Sequence, residues 1–299
     1  MEKTKKIILI VLMTIGFILM LFYVKEDPNI LNNNEYPPIS AQNIVRFLFA
    51  FFPTCYTFNM IERTLLFIDT ETTGTGPEDK LIQVAYRTTD GIDVNELYKP
   101  NRPIEIAAMA VHHITEKMIA NKPAFIGHNV YEDLKKRFAR GEIFIAHNAK
   151  FDIDMIEKEG LHVGTYIDTL KVARHLDPES KIESYGMQYL RYLLGIEIEA
   201  TAHDAWGDIL VLEQVFYRML KKMMTALDIS KEQAIEKMIE ISTKPSLIRS
   251  INFGKYKGGK LEDIAKNDTG YLKWLLGEKM KSDEDEEDWI YSLKHYLHI

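Results

Sequence analysis

Apolar and polar residues follow one another along this chain in patterns whose period changes from segment to segment. Short apolar or alternating runs predict β-strands at residues 64–68, 81–87, 95–99, 143–146 and 166–167. Apolar positions at helical spacing predict helices at residues 105–121, 130–140, 151–159, 184–194 and 204–220. Three strands followed by alternating helices and strands predict an α/β fold with a mixed sheet and helices on both faces.

An uncharged apolar segment, residues 7–24, precedes this pattern. As a helix rising about 1.5 Å per residue it would reach about 27 Å, close to the hydrocarbon thickness of a bilayer. We therefore predict a transmembrane anchor in residues 1–24, a linker in residues 25–61 and a membrane-associated protein. Lysines before the anchor favour a cytoplasmic N-terminus, and a second apolar stretch, residues 47–60, could lie in the interface and return the chain to the cytoplasm. The alternative is a soluble cytoplasmic protein that begins near residue 60, preceded by an over-extended gene model.

The amino-acid composition changes these predictions little. The net charge of −7 does not favour a nucleic-acid binder, because phosphate contacts need Lys and Arg. It does not exclude an enzyme whose acidic residues hold metal ions. The single cysteine, Cys55, rules out an internal disulfide and a cysteine-based zinc site. The pattern divides the rest of the chain into a main domain at 62–222, a helical connector at 223–246 and a small C-terminal module at 247–299.

Four carboxylates and one histidine are the candidate catalytic residues. Asp69 and Glu71 directly follow the first predicted strand, and residues two apart on an extended segment point the same way. Asp152 lies where a strand passes into a helix, and Asp208 lies on the helix predicted at 204–220, near His203. Taken singly, each of these is more often an ordinary surface residue. An apolar strand running straight into two acids is, however, a costly arrangement for charges without partners.

Three segments, FIDTETTG, IAHNAKFD and HDAWGD, contain these residues in that order. Together they resemble the three motifs of the DEDDh 3′–5′ exonucleases, the superfamily that includes the epsilon subunit of bacterial DNA polymerase III. VHHIT at 111–115 also resembles that family's V-H-G-I-T, with His113 where glycine is commoner, and YIDTLKVARHL at 166–176 fits its usual pattern. The resemblance covers residues 62–222 and implies a ribonuclease H-like fold with a mixed five-stranded sheet.

By this resemblance, Asp69, Glu71, Asp152 and Asp208 hold two Mg²⁺ or Mn²⁺ ions, with Asp69 bridging both. Oxygen ligands suit these hard cations, and a pair of ions can generate the attacking hydroxide and stabilise both oxygens of a phosphodiester displacement. His203 is implied as the general base, since its reference pKa near 6.5 suits proton transfer at neutral pH. The resemblance further suggests that the segment at Thr72 and Thr73 contacts the 3′-terminal nucleotide. His147 and Asn148 follow the strand predicted at 143–146 and could touch its sugar or phosphate, with Asn148 the better candidate.

The C-terminal module carries glycines among lysines and aromatic residues. Residues 249–281 contain eight Lys or Arg against four Asp or Glu. This segment resembles the module that follows the nuclease domain in exodeoxyribonuclease X-type enzymes, in which lysines such as Lys255 could meet phosphates and Phe253 or Tyr256 could stack on a base. The alternative is a small structural cap.

The sequence therefore predicts a free 3′–5′ exonuclease that removes nucleoside 5′-monophosphates from single-stranded 3′ ends, with DNA favoured over RNA and no preference indicated for single-stranded or duplex molecules. RNA trimming remains an alternative, because the same carboxylates serve both substrates. A proofreading subunit is less favoured, because the C-terminal tail differs from that of epsilon-type subunits. A catalytically inactive nucleic-acid-binding scaffold would be expected to lack at least one carboxylate, and none is missing.

Overall fold

A mixed sheet forms the centre of the computed structural model, which describes residues 63–198, 205–282 and 286–299. Within them the strand order is β3-β2-β1-β4-β5. β1 pairs antiparallel with β2, and β2 with β3, whereas β1–β4 and β4–β5 are parallel. The strands are β1 (Leu65–Thr72), β2 (Leu81–Thr88), β3 (Asp93–Leu97), β4 (Ile143–Ala146) and β5 (Tyr166–Asp168). The predicted five-stranded mixed sheet is therefore confirmed.

The helices surround this sheet and continue into the C-terminal module. Those of the sheet domain are α1 (Ile106–His112), α2 (Glu116–Ile119), α3 (Asn129–Ala139), α4 (Ala149–Lys158), α5 (Thr169–His175), α6 (Met187–Leu193), α7 (Ala205–Leu227) and α8 (Lys231–Ser242). The module contains α9 (Leu261–Asn267), α10 (Thr269–Lys279) and α11 (Glu287–Leu297). Helix α7 continues past residue 222, where the connector was predicted to begin. Residues 169–175, for which no helix was predicted, form α5.

Strand β1 is buried on both faces, which explains its unbroken apolar run. Leu66 and Ile68 belong to a core with residues of α3 and α4, whereas Leu65 and Phe67 belong to a core with residues of α5, α7 and α8. Side chains alternate across a strand, so the two sets point to opposite sides of the sheet. The Phe67 ring packs edge-on against Phe216 of α7 at 5.3 Å between centroids. Helices on both faces therefore hold β1 in one register.

The C-terminal module has an apolar core of its own, built from residues such as Ile251, Leu272 and Leu293. It is fixed to the sheet domain by polar contacts. Arg174 Nη1 of α5 donates to Asp288 Oδ2 at 2.6 Å, and Lys171 Nζ of α5 lies 3.7 Å from Asp288 Oδ1.

Several sequence predictions fall on residues outside the described ranges. These are the anchor at 7–24, the linker at 25–61 with its apolar stretch, and His203. Within the described ranges, no helix is long and apolar enough to cross a membrane.

The helix predicted at 105–121 is wrong in one respect, because two helices occupy this segment. His113 ends α1 with φ 62° and donates its N–H to Met109 O at 2.9 Å. This left-handed conformation favours glycine, which explains why glycine is commoner at this place in the V-H-G-I-T pattern.

We predict that His113→Gly stabilises the protein by roughly 0.5–1 kcal/mol, because a positive φ costs an L-residue more than glycine loses in chain entropy. Chemical denaturation monitored by circular dichroism measures this change. Val111→Gly is the matched control: it lies inside α1, where glycine is unfavourable, and we expect it to destabilise by roughly 0.5 kcal/mol. Equal destabilisation by both substitutions would contradict the prediction.

Candidate functional site

Asp69 and Glu71 lie within β1, which continues four residues beyond the predicted end of the strand at residue 68. Both side chains are half-buried, and their β2 partners are Ala85 and Gln83. They share the face of β1 that carries Phe67, so they point toward the side of the sheet covered by α7. The pairing of β1 with β2 shifts register between Glu71 and Thr72. The two carboxylates therefore lie together just before the strand ends.

Asp152 joins this strand end from α4. Its side chain is 4% exposed, and its Oδ1 accepts hydrogen bonds from Thr70 N at 3.0 Å and from Thr70 Oγ1 at 2.7 Å. Thr70 lies between Asp69 and Glu71 in the sequence, so these bonds bring the third predicted carboxylate to the same place. Burial raises the pKa of the Asp152 carboxyl to about 7, because it disfavours the charged form.

Asp208 reaches the same end of the sheet by a different route. It lies in the first turn of α7, is 7% exposed, and accepts from Gln188 Nε2 at 2.7 Å. Gln188 belongs to α6, which begins just after Tyr185, and the Tyr185 carbonyl accepts from His147 Nε2 at 2.8 Å. His147 directly follows β4, the parallel neighbour of β1. Three separate chain segments therefore deliver carboxylates to one end of the sheet.

The donor set fits a hard divalent cation by its chemistry. Carboxylate oxygens are the ligands that Mg²⁺ and Mn²⁺ prefer, and a cation beside the buried Asp152 would favour its ionised form. The described residues contain no group of three or more His, Cys, Asp or Glu side chains arranged to hold a metal ion. The fit therefore rests on the kind of donors and on their common location.

Thr72 and Thr73 shape the turn that follows β1. The Thr72 hydroxyl donates to Gly74 O at 2.7 Å, and the Thr73 hydroxyl donates to Asp79 Oδ1 at 2.6 Å. A Cβ at Gly74 would come within 2.8 Å of side-chain atoms of Asp79 and Glu105, so a larger residue here would displace these side chains. Both threonine side chains are thus committed to the turn, and their contact with a nucleotide stays a prediction.

His147 and Asn148 differ sharply in exposure. The His147 Nδ1 lies 2.9 Å from Thr169 Oγ1 and its Nε2 donates to Tyr185, so the ring links β4 to α5 and to the segment before α6. Asn148 is exposed, with φ 65°, and its N–H donates to Asp168 Oδ1 at 3.0 Å. Of the two, Asn148 is the better placed to meet a ligand.

Asp168 is a residue that the sequence analysis did not single out. It is buried, caps the start of α5 by accepting from Leu170 N at 2.9 Å, and holds the backbone of Asn148. Burial raises the pKa of its carboxyl. An acid directly before a helix is a recognisable N-cap signal, and it could have revealed both the role of Asp168 and the start of α5.

The state of His147 predicts a pH dependence of stability. Burial lowers the pKa of its imidazole to about 4, whereas an unfolded chain has a pKa near 6.5. Below pH 6.5 the unfolded state therefore binds a proton that the native state does not. We expect acidification from pH 6.5 to about 4 to reduce the free energy of unfolding through this group by roughly 3 kcal/mol. Above pH 6.5 this loss is absent, and the free energy of unfolding is not reduced by His147.

Urea denaturation across this pH range compares the parent protein with His147→Gln, which keeps a donor for Tyr185 but does not titrate. The difference between the two curves isolates His147 from the other groups that titrate in the same range. Parallel curves would contradict the prediction.

Comparison with known proteins adds independent support. Residues 66–216 match the family model described as "Exonuclease", and residues 251–279 match "Exodeoxyribonuclease X-like C-terminal". The chain is 32% identical to Exodeoxyribonuclease 10 of Escherichia coli K12 over 239 residues, which cover 78% of this chain and 98% of that protein. It is 31% identical to the DNA polymerase III subunit epsilon of Treponema pallidum over 51% of this chain and 74% of that protein.

A solved structure, exonuclease X in complex with 5′-overhanging duplex DNA, matches with a TM-score of 0.45 and 28% identity, covering 60% of this chain and 99% of that one. The family models and the full-length relative decide the assignment. The chain belongs to the RNase T- and DnaQ-like family of 3′–5′ exonucleases and carries an exodeoxyribonuclease X-like C-terminal module.

Proposed function

We propose that this exonuclease hydrolyses phosphodiester bonds from the 3′ end of DNA and releases nucleoside 5′-monophosphates. The observation that carries the proposal is the pair of hydrogen bonds from Thr70 to Asp152, because it brings a buried carboxylate to the Asp69–Glu71 pair. The likeness to Exodeoxyribonuclease 10 over nearly all of that protein favours DNA rather than RNA.

Asp69, Glu71, Asp152 and Asp208 would hold the divalent ions on which this family depends, and we propose two Mg²⁺ or Mn²⁺. When bound, such ions supply an activated water and neutralise the charge that develops on phosphate oxygens. The protein positions its own ligands: Thr70 orients Asp152, and Gln188 orients Asp208. Oriented donors of this kind fix ligand geometry and strengthen binding.

His203 and Asn148 complete the proposed reaction. His203 would accept a proton from the attacking water, as its reference pKa near 6.5 allows at neutral pH. Asn148, exposed at the end of β4, would donate from its side-chain amide to the sugar or phosphate of the strand end.

We predict that Asp152→Asn lowers kcat on a 3′-labelled single-stranded oligonucleotide by at least about 100-fold, because it removes a charge that binds metal. Asp154→Asn is the matched control. It makes the same change two residues further along α4, in a half-exposed acid paired with Lys150, and we expect near-parent activity. The assay uses the full chain with Mg²⁺ and again with EDTA, which should abolish the parent activity.

Near-parent activity of Asp152→Asn would refute the assignment. A 5′-labelled copy of the oligonucleotide tests the direction of cleavage and should shorten progressively. An RNA copy tests the sugar preference, and faster cleavage of RNA than of DNA would make the enzyme an exoribonuclease. In the same assay His203→Ala should lower kcat while leaving the calorimetric affinity for Mn²⁺ unchanged. Loss of Mn²⁺ binding would instead make His203 a ligand.

We also propose that residues 7–24 anchor the enzyme in a membrane and leave the catalytic domain in the cytoplasm. The support is the length and composition of the segment. We predict that the double substitution Leu12→Arg and Leu19→Arg moves the protein from washed membranes to the soluble fraction, since each central arginine costs roughly 2.5–3.5 kcal/mol of insertion free energy. The control is the double substitution Asn32→Arg and Asn33→Arg, which introduces two arginines outside the segment.

An unsubstituted full chain that stays soluble would refute the anchor. Protease treatment of sealed vesicles of each orientation then reports the side on which the catalytic domain lies, and degradation only from the lumenal or outer side would contradict the cytoplasmic placement.

A further inference from the structure

A groove separates the sheet domain from the C-terminal module and begins at the end of β4. It has a volume of about 440 Å³. Its walls carry His147, Asn148 and Tyr185 on the side of the sheet domain and Arg249, Asn252 and Trp289 on the side of the module. We refer to it as the junction groove. Asn148 belongs both to this lining and to the segment that follows β4, so the groove adjoins the end of the sheet that carries the carboxylates.

The two walls of the junction groove are fixed to each other. Arg174 Nη1 donates to Asp288 Oδ2 at 2.6 Å and to Ser246 Oγ at 2.8 Å, and Asp288 Oδ1 accepts from Ser246 N at 2.7 Å. Arg249 Nη1 also approaches Arg174 O at 3.3 Å, across the same boundary. A groove whose walls are already positioned binds a ligand with a smaller ordering cost than a surface that must first assemble.

The charges along the junction groove favour an anionic chain. Its charged lining residues are Arg174, Arg249 and Glu183. The pairing of Arg174 with Asp288 leaves Arg249 as the main cation. A neighbouring cavity of about 310 Å³ shares Asn148 and Trp289. It is lined by four carboxylates, Asp168, Glu286, Glu287 and Asp288, against three cations, Lys150, Lys171 and Arg174, so its lining has one more acid than base, whereas that of the junction groove has one more base than acid. Phosphate groups are therefore repelled less in the junction groove than in its neighbour.

The remaining lining groups suit a nucleotide. Asn148 and Asn252 are exposed amides that can donate to phosphate or sugar oxygens. Trp289 is half-buried and packs edge-on against Phe253 at 5.4 Å, which fixes its indole ring. A fixed aromatic ring can stack on a base of any sequence. The volume falls within the range of small-ligand pockets, roughly 300–1,000 Å³, and suits about one nucleotide unit.

We propose that the junction groove binds the DNA strand on the 5′ side of the nucleotide being removed, so that the C-terminal module forms one wall of an upstream nucleotide subsite. The inference rests on the proposed function, which places the scissile phosphate at the carboxylates. Thr72 and Thr73, the predicted contacts of the terminal nucleotide, lie on the β2 side of β1, since Thr73 N donates to Lys80 O at 2.8 Å. The groove opens on the opposite side, beyond β4, where the upstream strand would leave.

The test places opposite charges at one exposed position in the full chain. Asn252→Asp should raise the KM for a long single-stranded oligonucleotide by about three- to tenfold, and Asn252→Lys should lower it, because the two side chains repel and attract a nearby phosphate. Neither change should alter kcat or the kinetics on the p-nitrophenyl ester of thymidine 5′-monophosphate, which has no upstream nucleotide. Asn267→Asp, the same exchange at an exposed position at the end of α9, is the control and should leave both substrates unaffected.

Each failure has a distinct signature. A parent enzyme that cleaves neither substrate would refute the proposed function itself. A parent enzyme that cleaves both, combined with Asn252 variants that match it on the oligonucleotide, would overturn the junction groove alone. Equal losses on the ester and on the oligonucleotide would also overturn it, because the effect would then lie at the terminal nucleotide. A weaker inhibition by thymidine 5′-monophosphate in Asn252→Asp would overturn it in favour of a product site.

Discussion

The structure depends on one buried carboxylate at the end of an apolar strand. Asp152 has little contact with water, and an unpaired charge in such a place is costly. Thr70 offsets part of this cost by donating two hydrogen bonds, one from its backbone N–H and one from its hydroxyl. These bonds also join α4 to β1. Burial and these two bonds together fix where the carboxylate points. A divalent cation beside Asp152 would offset the rest of this cost, because it stabilises the ionised carboxylate.

Packing on both faces of β1 supplies the rigidity that this arrangement needs. A shift of β1 by one residue would exchange the side chains that face α4 with those that face α7, and would expose apolar residues in both cores. The edge contact between Phe67 and Phe216 ties the strand to the middle of α7, whose first turn carries Asp208. The carboxylates are thus set by elements whose positions the core determines.

The sequence was most informative where local pattern and tertiary environment agree. The buried strands at 81–87 and 143–146 were predicted within a residue of their observed bounds, because continuous burial leaves an apolar run. The four carboxylates were identified by motif resemblance, since no periodicity distinguishes Asp152 or Asp208 from surface acids. Their burial and their partners, Thr70 and Gln188, depend on contacts across 82 and 20 residues of chain.

Prediction failed where a single backbone conformation or a distant partner decides the outcome. His113 interrupts a helical pattern by adopting a left-handed conformation that the hydrophobic spacing does not encode. His147 stays a predicted substrate contact, and the motif did not reveal that both of its ring nitrogens have partners within the fold. In the C-terminal module, Lys255 pairs with Asp268 at 2.9 Å and Phe253 packs on Trp289, contacts that the local sequence pattern did not indicate.

The spread of the carboxylates along the chain has a consequence for biosynthesis. Asp69 and Asp152 lie on elements that pair early in the sequence, but Asp208 lies on α7 and is positioned only when that helix packs against β1. In the proposed site, a nascent chain therefore lacks one of the four carboxylates until residue 208 has been translated and this long-range contact has formed. With the proposed ligands, the nuclease would thus stay inert on the ribosome until α7 has been made and has packed onto the sheet.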